Sequence, residues 1–273
     1  MFNFEDNSNM ISCLLVTSKG RFEFFKKSVD CFFYQTYKNK QLVIVNEGDK
    51  EYQEKIKDYV HGKDNVKLIL LDGYYSLGSL RNISIALCDG DLFVQWDDDD
   101  FNSPERLSIQ FNFLLKNNKA KICYFGDQLH YYFEKNMLFW ENWDMYCSWG
   151  NMQYRLIPGT IMAWKHKFDH RYPSAGSFCK AGEDSELAKK IEDDEIALLK
   201  DFGYTNIYSY HGNNVWDIEH HMNISKKRSM MCDHLFMNKK NICRTLDKVD
   251  IGDNIKIMGR EGLAFIYKKN DKL

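Results

Sequence analysis

The sequence is poor in proline and has no long apolar run. Only 3 prolines occur among 273 residues and no segment is low in complexity, which argues against a disordered linker between large domains. The apolar runs are much shorter than the roughly 20 residues that cross a bilayer, so no transmembrane segment is expected. The N-terminal MFNFEDNSNM lacks the basic and apolar regions of a secretory signal. We therefore expect a soluble, cytoplasmic protein.

The sequence also lacks a basic tract and closely spaced cysteine pairs. Its formal net charge is -2, so the electrostatic footprint of a nucleic-acid-binding protein is missing. Its 8 cysteines include no C-x-x-C pair, and several lie within apolar segments. This usage favours buried reduced thiols over a disulfide framework or a zinc site.

What the first half does have is an alternation of short apolar segments with amphipathic ones. Such an alternation predicts βαβ units, a mainly parallel sheet and ligand binding beyond the carboxyl ends of the strands. The predicted strands are 11–16, 41–45, 66–70 and 91–96, and the predicted helices are 21–35, 49–59 and 77–87, with a further helix beginning at Ser103-Pro104.

The second half has a different pattern. Residues 127–154 are rich in aromatics and alternate like antiparallel strands and loops, and a terminal β-hairpin is predicted within 249–267. Strands are also predicted at 160–164 and 207–210, and helices at 182–202, with a break near Asp193, and at 224–245. We expect one large domain, 1–222, followed by a helix-plus-hairpin extension, 223–273.

The strongest local signal is the acidic run from Asp97 to Asp100, which directly follows a predicted buried strand. Four carboxylates at a strand end repel one another unless a cation neutralises them. Oxygen ligands suit Mg²⁺ or Mn²⁺, and such an ion commonly also binds substrate phosphates. The alternative is a solvated acidic turn that caps the helix beginning at Ser103.

Each of three further motifs has a functional and a structural interpretation. Arg81, near a helix start, could bind a phosphate or a nucleotide base, although most arginines on helices are solvated surface groups. The pair Glu183-Asp184 either favours a helix dipole or supplies a general base. His211 after a strand suits a metal or a phosphate, although a single histidine is more often structural, and the pair His220-His221 carries less weight.

These segments occur in an order that resembles the family 2 glycosyltransferases of the GT-A fold. The resemblance is specific over residues 11–107, moderate over 155–217 and absent beyond 225. The segments that carry it are ISCLLVTSKGR (11–21), QTY (35–37), QLVIVNEGD (41–49), Arg81-Asn82 with Gly90-Asp91, the D-x-D position at Asp97 and Asp99, PERL (104–107) and Glu183-Asp184.

The resemblance implies an α/β fold, GT-A and Rossmann-like, with a mainly parallel sheet flanked by helices and a C-terminal helix and small β-hairpin. It also implies a set of roles. Asp184 would be the catalytic base, and Asp99, Asp100 and His211 would hold Mn²⁺ or Mg²⁺. The donor-binding residues would be Thr17, Arg21, Asn46, Glu47, Arg81, Asp97 and Asp98. Asn46 stands where the family usually has aspartate, and an asparagine there can still hydrogen-bond a base or a ribose.

The implied reaction moves a sugar from a nucleoside-diphosphate sugar, with UDP as the expected nucleotide, to a hydroxyl of a glycan or glycoprotein with inversion. Trp140 and Trp143 are candidate stacking residues for the acceptor, with Glu183 nearby, and the alternative for this aromatic stretch is a hydrophobic core. Two other functions remain open, a non-catalytic sugar-binding or assembly protein and a sugar-1-phosphate nucleotidyltransferase. A D-x-D-x-T phosphatase does not fit, because Phe101 follows the aspartates.

Overall fold

The structure is a computed structural model that describes residues 8–144, 155–179 and 181–269. The chain divides into two compact units, each built from three segments. The first unit comprises Met1–Asp99, Leu107–Tyr124 and Pro158–Ala197, and the second comprises Asp100–Arg106, Phe125–Ile157 and Leu198–Leu273. The boundary predicted at residue 222 remains a prediction.

The predicted alternation of strands and helices is confirmed in the first half of the chain. Each helix buries one face, as its apolar spacing requires, and α3 packs against β1 and β2. The elements are β1 (Ile11–Thr17), α1 (Phe22–Phe33), β2 (Lys40–Glu47), α2 (Lys50–Val60), β3 (Val66–Leu71), α3 (Leu77–Leu87) and β4 (Leu92–Gln95).

The second half contributes shorter strands and helices. They are β5 (Phe101–Asn102), α4 (Arg106–Lys116), β6 (Ile122–Phe125), β7 (Asp127–Tyr132), β8 (Met137–Asn142), β9 (Ile157–Trp164), α5 (Glu183–Ala188), β10 (Ile196–Leu199), β11 (Asn206–Tyr210), α6 (Ile218–Arg228), α7 (Cys232–Met237), α8 (Lys239–Val249), β12 (Ile255–Gly259) and β13 (Gly262–Tyr267).

A seven-stranded sheet has the order β10-β6-β9-β4-β1-β2-β3. Strand β1 pairs in parallel with both β2 and β4, whereas β9 runs antiparallel to β4. Nearly every residue of β1 is buried, as expected for a strand covered on both faces. Because β1, β2 and β4 are parallel, the loops that follow them leave from the same edge of the sheet.

A second sheet has six strands in the order β13-β12-β8-β7-β11-β5. The predicted antiparallel strands appear as β7 and β8, and the predicted terminal hairpin appears as β12 and β13. Strand β12 joins the sheet through parallel pairing with β8. Helix α6 covers part of one face, where Ile218 and Met222 pack on Tyr132 and Phe139.

Two helix predictions are wrong. Residues 224–245 do not form one helix, because Ser229 leaves the helical conformation and bridges Glu141, while the amide of Met230 donates to the carbonyl of Trp140. Residues 182–202 are α-helical only over Glu183–Ala188, form one 3-10 turn at Asp193–Glu195, close to the predicted break, and then form β10. In both places sheet pairing replaces the local helical hydrogen bonds, which periodicity along the chain does not reveal.

The cysteine prediction holds for the described residues. Seven cysteines there are free thiols, of which all but Cys232 are buried, and Cys147 lies outside the described residues. Among helices in the described ranges, none combines the length and apolarity that crossing a bilayer requires.

Candidate active site

The ends of β1 and β2 place Thr17 and Asn46 side by side. The two residues are in register, and Asn46 Nδ2 donates to the Thr17 carbonyl at 2.7 Å. The Thr17 hydroxyl is 2.8 Å from the hydroxyl of Tyr52. Within the described residues, the buried Asn46 Oδ1 has no hydrogen-bond partner. One N–H of the Asn46 amide thus donates to the protein, and its oxygen is an acceptor without a partner among the described residues.

Glu47 holds the loop that follows β3. Its carboxylate accepts a hydrogen bond from the backbone amide of Tyr75, and the neighbouring Gly48 has a φ of +81°, which favours glycine. A side chain at Gly48 would meet the carbonyl of Gly73 at 3.6 Å and the ring of Tyr74 at 3.8 Å. In the structure, Glu47 therefore holds the loop after β3 in place, at the sheet edge where the sugar nucleotide was predicted to bind.

The acidic run begins after β4, and Arg21 neutralises part of it. Arg21 Nη1 donates to Asp98 Oδ1 at 3.0 Å and to Asp99 Oδ2 at 2.8 Å. Burial and the charge of Asp99 raise the pKa of Asp98 to about 7, although Arg21 opposes the shift. Asp98 Oδ2 is buried and has no hydrogen-bond partner in the described part of the chain. Arg21, which was predicted to bind the donor, thus contacts two of the aspartates in the structure.

Arg81 is buried between two carboxylates. Its Nε donates to Glu183 Oε1 at 2.8 Å and its Nη2 to Asp97 Oδ1 at 3.1 Å. Its guanidinium also lies over the ring of Tyr172, 5.7 Å from the centroid. Burial opposes its charge, but Asp97 and Glu183 outweigh it and raise the pKa of Arg81. Arg81 therefore joins the end of β4 to the start of α5, which the sequence did not indicate.

Asp184 lies in the first turn of α5, next to this ion pair. Its Oδ1 accepts from the backbone amide of Ser185 at 2.6 Å, and the residue as a whole is of intermediate burial. Burial and the nearby Glu183 raise the pKa of Asp184 to about 6, and Arg81 opposes them. A carboxylate with this pKa is ionised at neutral pH but accepts a proton more readily than an ordinary aspartate.

Gly159 on β9 leaves a gap between Asp184 and Asp97. A Cβ at this position would stand 3.3 Å from Asp97 Oδ2, 3.4 Å from Gln95 Nε2 and 3.9 Å from Asp184 Oδ2. Sequence reasoning missed Gly159, and the only available signal was a Pro-Gly pair at the start of a predicted strand. Because β9 pairs with β4, this glycine keeps the space beside both carboxylates clear.

The second unit contains the remaining predicted metal ligands. Asp100 Oδ1 accepts from the backbone amide of Ser209 at 3.0 Å, on the strand that ends one residue before His211. His211 is partly exposed, and its own amide donates to Asn214 Oδ1 at 2.9 Å. Asp100 and the backbone leading to His211 are thus joined by one hydrogen bond.

The aromatic acceptor candidates occupy different environments. Trp140 is fully buried and its Nε1 donates to Asp127 Oδ2 at 2.6 Å, so the structure places it in the core of the second unit. Trp143 is partly exposed, and the guanidinium of Arg228 stacks 4.5 Å from its ring centroid. Glu183, also a candidate, is buried against Arg81. Trp149 and Tyr154 lie outside the described residues.

Carboxylate oxygens are suitable ligands for a divalent cation, but the described part of the chain contains no preformed set of ligands. Within residues 8–144, 155–179 and 181–269, no group of three or more His, Cys, Asp or Glu side chains is arranged to hold a metal. Asp98 Oδ2 is a buried oxygen without a hydrogen-bond partner among these residues, so a cation could bind it without displacing a hydrogen bond. An ion with few protein ligands and several from substrate phosphates fits this arrangement.

Comparisons with known proteins agree with this picture. The profile of the glycosyl transferase family 2 matches residues 13–178. An uncharacterized glycosyltransferase of Haemophilus influenzae is 31% identical over 85 residues, which is 31% of this chain and 34% of that protein. One of Rickettsia typhi is 29% identical over 123 residues, 45% of this chain and 37% of that protein. These first relatives are therefore matched over well under half of their own length. A second Haemophilus influenzae protein, also an uncharacterized glycosyltransferase, is 24% identical over 96% of this chain and 81% of its own length.

Solved structures confirm the GT-A fold. S. aureus TarS in complex with UDP-GlcNAc superposes with a TM-score of 0.56 at 12% identity, covering 88% of this chain and 72% of that one. The mannosyltransferase PcManGT from Pyrobaculum calidifontis, in complex with GDP-Man and Mn²⁺, superposes with a TM-score of 0.52 at 9% identity, covering 86% and 66%. At these identities the likeness concerns the fold alone.

Proposed function

Because the chain belongs to the glycosyl transferase family 2, we propose that it transfers a sugar from a nucleoside-diphosphate sugar to an acceptor hydroxyl, with inversion. The observation that carries this proposal is the position of Asp184. This carboxylate, whose pKa is raised to about 6 mainly by burial, borders the gap left by Gly159, with Asp97 bordering the same gap. An acceptor hydroxyl that enters this gap can give its proton to Asp184 as it attacks the anomeric carbon.

Asn46 is the proposed reader of the base. Its Nδ2 is oriented towards the Thr17 carbonyl and its Oδ1, which can only accept, has no partner among the described residues, so this oxygen is matched by a base that presents a ring N–H. Uracil, thymine and guanine have this group, whereas cytosine and adenine present an acceptor at the corresponding edge. TarS was solved with UDP-GlcNAc and PcManGT with GDP-Man, and both of these bases have the ring N–H. We take UDP as the first candidate.

A binding panel tests this assignment. We expect UDP to stabilise the protein and to bind about tenfold more tightly than CDP, because an acceptor facing an acceptor leaves both groups unsatisfied. Isothermal titration with UDP, GDP, CDP and ADP measures the difference, and Asn46→Ala should reduce it. Equal affinity for UDP and CDP in the wild-type chain would contradict the role of Asn46.

A divalent cation is part of the proposal. Asp99 would hold Mn²⁺ or Mg²⁺, with the unpartnered Oδ2 of the neighbouring Asp98 available to it, and the roles predicted for Asp100 and His211 remain sequence-based proposals. The cation would supply positive charge to the leaving diphosphate. The chain's own side chains would do the rest. Asp184 would accept the proton of the acceptor hydroxyl, and Arg81 holds the carboxylates of Asp97 and Glu183 in place through its two hydrogen bonds.

Gly159 provides a second test of the site. We expect Gly159→Ala to lower the transfer rate about tenfold, because the added methyl group must displace Asp97 by a few tenths of an ångström and narrows the gap beside Asp184. Steady-state kinetics of product formation measure the effect. Gly126→Ala is the matched control, since its Cβ would meet only side-chain carbons of Leu198 and Lys200 at 3.4–3.5 Å. Equal rates for both variants would show that the gap is not used.

A further inference from the structure

The C-terminal part of the second unit has a charge that sets it apart from the rest of the chain. Residues 223–273 contain 12 Lys and Arg but 6 Asp and Glu, whereas the whole chain has a formal net charge of -2. The excess of positive charge therefore sits on the last fifth of the chain. The family profile ends at residue 178, so this segment lies outside the matched region.

The same segment exposes large apolar side chains around the last strand of the six-stranded sheet. Strand β13 is the outermost strand of the sheet order, and α7 packs against it. On one face, Phe236 is 51% and Met237 is 78% exposed, and the Phe236 ring lies 5.8 Å from that of Phe265. On the other face, Leu263 is 52% and Ile266 is 43% exposed.

Two exposed lysines follow these apolar groups along the chain. Lys240 is in the first turn of α8, three residues after Met237, and Lys268 comes directly after β13. We call this the sheet-edge surface and define it by six residues: Phe236, Met237, Leu263, Ile266, Lys240 and Lys268.

We propose that the sheet-edge surface docks the protein on an anionic lipid membrane. Exposed apolar side chains can enter the headgroup region of a bilayer, while neighbouring lysines bind lipid phosphates, and the two contributions add. Among the described strands, β13 has a neighbour on one side only, and the backbone groups of its other edge limit the depth, because they need water or headgroups as partners. The surface therefore lies on the membrane and does not cross it.

A second copy of the chain is a poorer occupant of this surface. Two copies that met through it would bring together two segments that each have twice as many basic as acidic residues, and like charges at an interface are unfavourable. An anionic lipid surface satisfies both the apolar groups and the excess of positive charge.

Vesicle co-sedimentation of the full chain tests the proposal. We expect binding to vesicles of phosphatidylcholine mixed with phosphatidylglycerol, and no binding to phosphatidylcholine alone. Added salt should weaken the binding, because the lysine contribution is screened. Equal partitioning onto neutral and anionic vesicles, or no binding to either, would overturn the proposal.

Two pairs of substitutions locate the surface. Lys240→Glu with Lys268→Glu should lower the partition coefficient about tenfold or more, since each basic residue near an anionic membrane contributes about fivefold. Met237→Asp with Leu263→Asp should lower it by a similar factor, because both side chains would leave the interface. All four side chains are exposed, and circular dichroism verifies that the variants fold.

Matched substitutions elsewhere serve as controls. Lys116→Glu with Lys119→Glu makes the same change of charge on the first unit, and Leu87→Asp replaces a leucine that is 43% exposed there. Vesicle binding should be unaffected by either. An equal loss in the controls would overturn the assignment to this surface. If light scattering shows a dimer that the Met237 and Leu263 pair converts to a monomer, the occupant is a second copy and not a membrane.

Discussion

Asp184→Asn is expected to lower sugar transfer about a thousandfold and to leave nucleotide binding within a small factor of the wild-type affinity. Asparagine keeps the size of the side chain and the contact with the Ser185 amide but cannot accept the acceptor proton. Product formation is measured at saturating donor, and nucleotide affinity is measured by titration. Near-normal turnover of the variant would show that another group is the base.

The pH dependence gives an independent check on the same residue. The pKa of Asp184 in the unliganded protein is raised to about 6, so kcat/KM of the wild type should fall as the pH drops through this value and the base becomes protonated. The contribution of Asp184 to folding has the opposite trend. It is fully present below the ordinary pKa of 3.8 and is lost as the pH rises through about 6, since the folded state favours the neutral form.

Asp184→Asn should therefore be at least as stable as the wild type at neutral pH, which separates lost catalysis from lost folding. Glu186→Gln is the matched control, because Glu186 lies on the same short helix but pairs with Lys189. Its turnover should stay near that of the wild type. A lower melting temperature for Asp184→Asn would contradict the raised pKa.

Arg81→Met is expected to destabilise the fold by about 3 kcal/mol. The methionine keeps much of the volume of the arginine but leaves Glu183 buried without its cation and Asp97 without one of its contacts. Removing one partner of a buried ion pair typically costs about 3–5 kcal/mol, because a charge remains without compensation. Urea unfolding followed by fluorescence measures the change.

Arg244→Met is the control for this prediction. Arg244 pairs with Glu105, but its side chain is 64% exposed, and an exposed pair contributes about 1 kcal/mol or less. The double variant Arg81→Met with Glu183→Gln should recover part of the lost stability, because Glu183 is then no longer a buried charge without its cation and only Asp97 remains uncompensated. A change below about 1 kcal/mol in Arg81→Met would mean that the bridge does not hold the site together.

The strand ends were predictable from the sequence because each is marked locally. Apolar segments of strand length that alternate with amphipathic ones predict parallel strands, and parallel strands bring Thr17, Asn46 and Asp97 to one edge. The acidic pair before Leu187 was placed at a helix start by its own pattern, and α5 does begin at Glu183.

The connections between distant segments were not predictable. Arg81 and Glu183 are 102 positions apart, and neither has a neighbour in sequence that indicates the other. Gly159 matters because it has no Cβ that would fill the gap beside Asp97 and Asp184. This consequence depends on the pairing of β9 with β4, which the sequence does not show. The helix predicted over 224–245 ends at Ser229, and Trp140 is buried, because strands from distant parts of the chain pair there. The periodicity of a single segment gives no information about such pairing.

The central proposal is that this chain cleaves a nucleoside-diphosphate sugar, and donor turnover tests it most directly. The purified protein is incubated with Mn²⁺ and a panel of UDP-, GDP- and dTDP-sugars, and the released nucleotide is measured. We predict slow release from one donor, which stops when the metal is chelated. No release from any donor, with no stabilisation by any nucleotide, would contradict the proposal and indicate a protein that has kept the glycosyltransferase fold without its reaction.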